Sequence, residues 1–424
     1  MRDPGETATT RNRRPFGALL AATAISRLGS MLTLVALPWF VLQTTGSAAK
    51  TGVTLATGAV PYLVAGILGG VLVDRLGYRQ SSVLSDVGSG ICVAAIPLLA
   101  HTVGLAFWQL LVLVFLGTLV GAPGMTARDS LLPDLAARAG LPLERANGII
   151  QAVRRVALLV GPAVAGVLIA LLGAGNVLWL DGASFLVSAA IVALAIPCDA
   201  VAPPAAHAYL REVLDGFRFV RADGLLLWLV VTFAVGSLVS EPLYTVVLPV
   251  YARQVFASAV DLGLMESALA AGSLLGLLAY ALMGPRLPRR ATLLGGFTAR
   301  ALAFWVLVAL PPLPVLLGAI VLEAVCFEPI NPLTTSLLQR RVPEGLRGRV
   351  FGTFDALTSA TFPVGTLLGG LLLARWGLVA SLMVFAAASL AHAASLPLVP
   401  ALRRLDRPAG VPLLEPPAGP ATVR

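Results

Sequence analysis

The sequence predicts an all-α membrane protein with twelve spanning helices in two six-helix bundles. Three observations carry this expectation. Of 424 residues, 58% are hydrophobic and only 12% are charged, against about 25% charged in a soluble domain. The apolar residues gather into twelve runs, each close to the roughly 20 residues that cross a bilayer. The basic residues between the runs are segregated, with 23 on one side of the implied membrane and 3 on the other. Because Lys and Arg accumulate in cytoplasmic loops, this asymmetry places both termini in the cytoplasm. It also requires an even number of crossings of the cell (inner or plasma) membrane.

The same composition excludes other classes. The net charge of +9 lies in the loops, so nucleic acid is not an expected partner. Cys92, Cys198 and Cys326 are scattered, as are His101, His207 and His392, which argues against a disulfide framework or a metal site. Lys50 is the only lysine and follows Ala49, so a phosphate-binding loop of the G-x-x-x-x-G-K-[ST] type is absent. Any concentrative work must then draw on an ion or solute gradient. No nucleophile–base–acid set emerges, so neither an enzyme nor a cofactor is expected. A non-transporting sensor or scaffold would need a sizeable soluble module, and the tails are too short for one.

In chain order, residues 1–15 form an N-terminal tail, polar and basic, without a cleavable signal. A first bundle over 16–199 holds runs at 16–42, 51–73, 81–100, 105–127, 147–172 and 176–196. A linker over 200–223 contains Pro203-Pro204 and then Leu210, Val213, Leu214 and Phe217 at helical spacing. That spacing predicts an amphipathic helix lying at the cytoplasmic membrane surface. A second bundle over 224–400 holds runs at 224–251, 262–283, 291–310, 313–338, 350–374 and 378–399, and residues 401–424 form a C-terminal tail. The halves echo each other. Gly166 stands seven residues before Gly173 at the end of the fifth run, and Gly370 stands seven before Gly377 at the end of the eleventh. Duplicated bundles are the sequence trace of a rocking-bundle transporter.

The tight loop after the second run reads Gly70-Val71-Leu72-Val73-Asp74-Arg75-Leu76-Gly77-Tyr78-Arg79-Gln80. This G-x-L-x-D-R-x-G-x-R pattern resembles the signature loop of the major facilitator superfamily, and it falls between the second and third runs as in that family. Tyr78 departs from the pattern, standing where a basic residue is common. The resemblance implies the twelve-helix superfamily fold. It also implies that Asp74, with Arg75 and Arg79, braces the two halves on the cytoplasmic face. Asp86, on the next helix near the same face, could pair with Arg79 or Arg75. In the fifth run, Gly161-Pro162 followed by Gly166 is similar to the family's antiporter motif. That reading is a leak-tight seam favouring exchange, and ordinary small-residue packing is its alternative.

In the implied fold, helices 1, 4, 7 and 10 line a central cavity. Arg27 then lies midway along helix 1, Glu241 in the outer half of helix 7, and Glu323 and Glu328 on helix 10. Embedded charges cost about 2.5–3.5 kcal/mol at mid-helix and should face the protein interior. Ser237, Glu241 and Thr245 form one polar stripe, and Glu328, Asn331 and Thr335 a second. Tyr244 adds an aromatic contact. Low dielectric disfavours a charged carboxylate, so Glu241 or Glu323 could load and release a proton, with Arg27 as its modulator or as a contact for an anionic group. A static buried ion pair is the alternative. Trp39, Phe40, Phe233, Tyr251, Phe304 and Trp305 are further apolar contacts to consider. Arg154, Arg155 and Asp355 suggest a salt bridge between the halves. Asp181 near an outer end and Arg300 on a peripheral helix read as structural.

Several stretches narrow the branch. Leu131-Leu132-Pro133-Asp134-Leu135, Arg145-Ala146-Asn147-Gly148 and Leu180-Asp181-Gly182-Ala183-Ser184-Phe185-Leu186 resemble exporters related to macrolide-efflux pumps and the enterobactin exporter. The resemblance implies a monomeric secondary transporter that exports drugs or bulky amphipathic natural products in exchange for protons. A dedicated metabolite, siderophore or lysolipid transporter on the same fold is the rival.

Overall fold

In a computed structural model, residues 12–197 and 209–405 are described. They are helical throughout. Helices α1 (Arg14–Thr45), α2 (Ala48–Leu76), α3 (Tyr78–Thr102), α4 (Phe107–Ala139), α5 (Leu143–Leu172) and α6 (Ala174–Ala195) form the first half. The second half has α7 (Gly224–Phe256), α8 (Ala259–Met283), α9 (Arg289–Val308) and α10 (Leu313–Arg341). It ends with α11 and α12, continuous over Arg347–Leu398 but divided at Gly377. Ten of these stretches are long and apolar enough to cross a membrane; the last of them crosses twice, and α2 completes the twelve crossings expected from the sequence.

The two repeat-related glycines explain how two of these turns are made. Gly173 joins α5 to α6 at φ 85°, and Gly377 joins α11 to α12 at φ 77°. A side chain at such φ meets the neighbouring carbonyl, so glycine is the residue that lets a helix stop and reverse without an intervening loop.

The packing is asymmetric across the membrane. We call the side carrying both chain ends the terminal face. Towards the opposite, far face, one apolar core joins both halves, with Val35, Val41, Val177 and Leu178 packed together with Val246, Leu248, Phe304 and Leu382. Towards the terminal face there are two cores, one per half. Leu19, Leu131, Leu135 and Ile150 belong to the first, and Leu226, Leu293, Leu338 and Val350 to the second. The halves are therefore sealed on the far side and parted on the terminal side.

The seal rests on two helix crossings with the same plan. Gly166 of α5 lies against Ala259 and Val260 of α8, and Gly263 of α8 lies against the Pro162 carbonyl. Gly370 of α11 lies against Ala48 and Ala49 of α2, and Gly52 of α2 lies against the Thr366 carbonyl. Gly52 and Gly263 each follow a serine N-cap by five residues, Ser47 and Ser258, whose hydroxyls accept from the backbone N–H groups of Lys50 and Asp261. Missing β-carbons let the backbones approach closely, which is how helices associate in lipid without a hydrophobic driving force.

The linker helix (Tyr209–Ala222) packs on the second half. Gly216 packs against the Arg349 carbonyl and Thr353 of α11, and Val220 is buried in the second half's terminal core. The reason is at its end, where Asp223 caps α7 by accepting from the Leu225 and Leu226 N–H groups and pairs with Arg341 at 2.6 Å. An Asp223→Ala variant should lose about 1 kcal/mol from the cap alone. That loss would be read as a lower thermal-unfolding midpoint in detergent.

Candidate functional site

Between the halves lies a cavity of about 790 Å³. Its walls include Ser26 and Arg27 of α1, Thr118 and Arg128 of α4, Ser237 and Glu241 of α7, and Phe327 and Asn331 of α10. These are the four helices expected to line it. The wall is wider than that, however. Asp86 and Ser89 of α3, Asp181 and Phe185 of α6, and Phe297 and Arg300 of α9 also face the cavity. Of the aromatic residues considered from sequence, Phe233 lines it, whereas Phe40, Tyr251 and Phe304 are buried in the far-side core and Trp305 is exposed.

The second half's contribution is organised by Arg300, which the sequence placed on a peripheral helix as a structural residue. Instead its guanidinium points inward. Nε donates to Glu323 Oε1 at 2.6 Å, and Nη1 donates to Ser240 Oγ at 3.3 Å. Its Cζ lies 3.2 Å from the Phe327 ring centre and 5.7 Å from that of Tyr244. Glu323 is only 1% exposed, and this guanidinium is its ion-pair partner. Glu241 and Tyr244 lie in the electrostatic reach of the same guanidinium. Arg300, Glu323, Glu241 and Tyr244, singled out separately from sequence, thus form one cluster. A lone guanidinium inside the otherwise uncharged 291–310 run was the signal available for Arg300.

Glu328 and Asn331 form a separate group. Glu328 stands where α10 is interrupted before Pro329, within the electrostatic reach of Asn331 and of Ser273 of α8. Arg155 of α5 acts on it electrostatically from the other half. Arg154 pairs with Asp129 of its own half, not with Asp355.

The first half has its own buried ion pair. Asp86 is bonded to Arg128 of α4, not to Arg79; the Arg75 side chain lies outside the described residues. Arg128 also donates to Ser82 Oγ at 3.0 Å and Ser188 Oγ at 2.8 Å. Counted from sequence as a loop residue, Arg128 is buried because α4 runs on past it to Ala139. Arg79 donates to the Ala193 carbonyl of α6. α3 and α4 are thus bridged by an acid on the third helix and a base on the fourth. α9 and α10, their counterparts, are bridged with the charges exchanged.

The loop motif lies only in part within the described residues. Gly77 ends α2 at φ 83°. The side chains of Asp74 and Arg75, and the surroundings of Gly70, lie outside the described residues. The antiporter-like motif is placed within the protein: Gly161 lies against Met31 of α1, and Pro162 and Gly166 form the α5–α8 crossing. Among the described residues, no group of three or more His, Cys, Asp or Glu is arranged to hold a metal ion.

Twelve spanning helices in two halves around a shared cavity, largely apolar with a few polar and charged groups on its wall, define a membrane transporter. The family model described as Major Facilitator Superfamily matches residues 19–285 and 241–423, and the chain belongs to that family. It is 35% identical over 404 residues to the Multidrug efflux pump Tap of Mycolicibacterium fortuitum, covering 94% of this chain and 98% of that protein. It is 24% identical over 403 residues to Macrolide efflux protein A of Streptococcus pyogenes, covering 92% of this chain and 97% of that one. In fold it is similar to the crystal structure of the nucleoside transporter NupG, with a TM-score of 0.77 at 13% identity over 91% of this chain and 98% of the other. The protein is a multi-pass membrane transporter, not an enzyme.

Proposed function

We propose that the protein exports drug-like amphipathic molecules from the cytoplasm by alternating access, in exchange for protons. The observation that carries this reading is the cavity itself. It is sealed on the far side and is walled by aromatic rings beside a buried Arg300–Glu323 pair. Phe233, Phe297 and Phe327 stack edge-to-face, with centroids 6.2 Å and 5.3 Å apart. Such a wall accepts varied apolar bodies, while a few polar groups fix their orientation. The names of the relatives, a multidrug efflux pump and a macrolide efflux protein, support the same cargo. With both termini in the cytoplasm, as the arginine distribution argues, the parted face is the inner one, and the cavity loads from inside.

Glu241 and Glu323 supply the proton-coupling acids in this reading. Expression in a drug-susceptible host tests it with a panel containing a macrolide, a tetracycline and ethidium. Wild type should raise resistance to at least one compound. Glu241→Gln and Glu323→Gln should each remove at least about tenfold of the pH-gradient-driven transport in vesicles. No protection against any drug would favour the rival, a dedicated metabolite, siderophore or lysolipid transporter. Full gradient-driven transport in both variants at normal protein level would end the proton-coupling assignment.

A further inference from the structure

Asp181 lies on α6, a helix outside the four expected to form the cavity wall, yet it faces the cavity. It starts about 10 Å from the far end of its helix. Close packing brings it there. Gly182 of α6 stands against Ala94 and the Gly90 carbonyl of α3, and Gly29 of α1 leaves the space that Asp181 and Ser184 fill. A β-carbon at Gly29 would lie 2.9 Å from Ser184 Cβ and closer still to the carboxyl group. The niche is built around this acid.

Among the described residues, the acid has no cationic partner. Thr33 Oγ1 donates to Oδ2, and Ser184 Oγ lies 3.2 Å from Oδ1. The charged and titratable groups on the helices packed against α6 are engaged elsewhere or lie at its ends. On α3, Asp86 is held by Arg128, Arg79 bonds the Ala193 carbonyl, and His101 is near the far end beside Gly175. On α5, Arg154 pairs with Asp129, Arg155 acts on Glu328, and Glu144 and Arg145 lie in the first turn. Arg27 of α1 lines the cavity and makes an interaction of its own. Among the described residues, the group whose field reaches Asp181 is Asp86, which has the same sign.

The hydrogen count points the same way. Ser184 has one hydroxyl hydrogen, and its shorter contact is to the Asp181 carbonyl at 2.8 Å. Shared between the carbonyl and Oδ1, that single hydrogen serves the carboxylate only in part, and a proton on Oδ1 would complete the contact. The fold does not require an acid here. Asp181 follows Gly173 by eight residues, and the residue eight beyond Gly377 in the other half is Phe385, buried in the apolar core. At 1% exposure, the carboxyl is too enclosed for an organic cation but not for a proton.

We propose that Asp181 is an exchangeable-proton site of the transport cycle in the first half, separate from the Arg300 cluster. The inference rests on the proton-exchange reading above. A proton from the outer phase binds the carboxylate, forming the Oδ1–H bond. On the inner phase that bond breaks and the proton passes to cavity water. The Ser184 hydroxyl then turns its hydrogen from the Asp181 carbonyl to Oδ1, and Thr33 continues to serve Oδ2.

Vesicles holding the full-length protein, with ethidium as the transported probe and an internal pH dye, test this. Asp181→Asn should cut gradient-driven accumulation at least about tenfold while ethidium exchange falls less than about threefold. Ser184→Ala keeps the carboxyl but removes the donor to its anion, so the pH midpoint of transport should rise by about one unit. A pH-titrated infrared difference spectrum, which needs no probe, should lose one protonated-carboxyl band in Asp181→Asn. If that variant keeps both its accumulation and the band, the proposal is overturned. Equal loss of exchange and accumulation, with the infrared spectrum unchanged, would mark a structural residue and overturn it too. A wild type that exchanges ethidium but ignores the gradient would overturn proton exchange as a whole. Failure at Asp181 alone would leave Glu241 and Glu323 standing.

Discussion

Arg300→Leu should stop transport and destabilise the protein by about 3–5 kcal/mol, because removing one partner of a buried ion pair strands the other charge. The stranded group is Glu323, 1% exposed, which would keep no guanidinium at 2.6 Å. The Phe327 face would also lose its cation, a contact worth about 2 kcal/mol when desolvated. A second variant separates architecture from transport. Replacing both members with leucine removes the stranded charge, and buried pairs exchanged for apolar residues are often neutral in stability. Arg300→Leu with Glu323→Leu should therefore recover most of the unfolding midpoint in detergent and none of the gradient-driven transport. If transport returned along with stability, the cluster would be a strut and the coupling would lie elsewhere. If neither returned, packing around Phe327 and Tyr244 would be the dominant loss.

How far the sequence disclosed this arrangement depends on the range of the signal. Helix number and the equivalence of the halves were legible because they are repeated locally. Apolar runs have a length set by the bilayer, and the Gly166–Gly173 and Gly370–Gly377 spacings recur as matching turns and matching crossings. Glu241 and Asn331 were found on the cavity wall because charge and amide are rare at mid-helix and because the expected fold named the lining helices. What escaped were the partners. Asp86 and Arg128 are 42 positions apart, Arg300 and Glu323 are 23 apart, and Thr33 and Asp181 are 148 apart. No local pattern joins such residues. Arg300, read as lying on a peripheral helix, and Asp181, read as lying near an outer end, both face the cavity, and glycines on neighbouring helices, such as Gly29 and Gly90, turn α6 into part of the wall. That Val220 of the linker helix is covered by the second half was not legible, because amphipathicity shows that a face is buried and does not show against what.

Gly370→Leu should abolish transport as completely as loss of Arg300, by acting on the far-side seal. A β-carbon at Gly370 would stand 2.9 Å from the Ala48 carbonyl oxygen and 3.0 Å from Gly52 Cα. Both obstacles are backbone, so α2 and α11 must move apart. The sealed arrangement needs that crossing, whereas an arrangement parted on the far face does not. The substitution therefore penalises one state selectively, and selective destabilisation is what shifts a two-state equilibrium. An expected bias of about 3 kcal/mol corresponds to more than a hundredfold change in population. A cysteine at Leu55, which lines the cavity, reads it directly. A membrane-impermeant thiol reagent added from outside should label Leu55→Cys slowly in the otherwise unaltered protein and at least about tenfold faster with Gly370→Leu present. Gly166→Leu, at the matching crossing, should do the same. Gly318→Leu should change nothing, since a β-carbon there meets no atom within 4 Å. Equal labelling in all of these variants would mean that the glycine crossings do not hold the far face closed. The asymmetry between one shared core and two separate ones would then have to be maintained by Val246, Leu248 and their apolar neighbours alone.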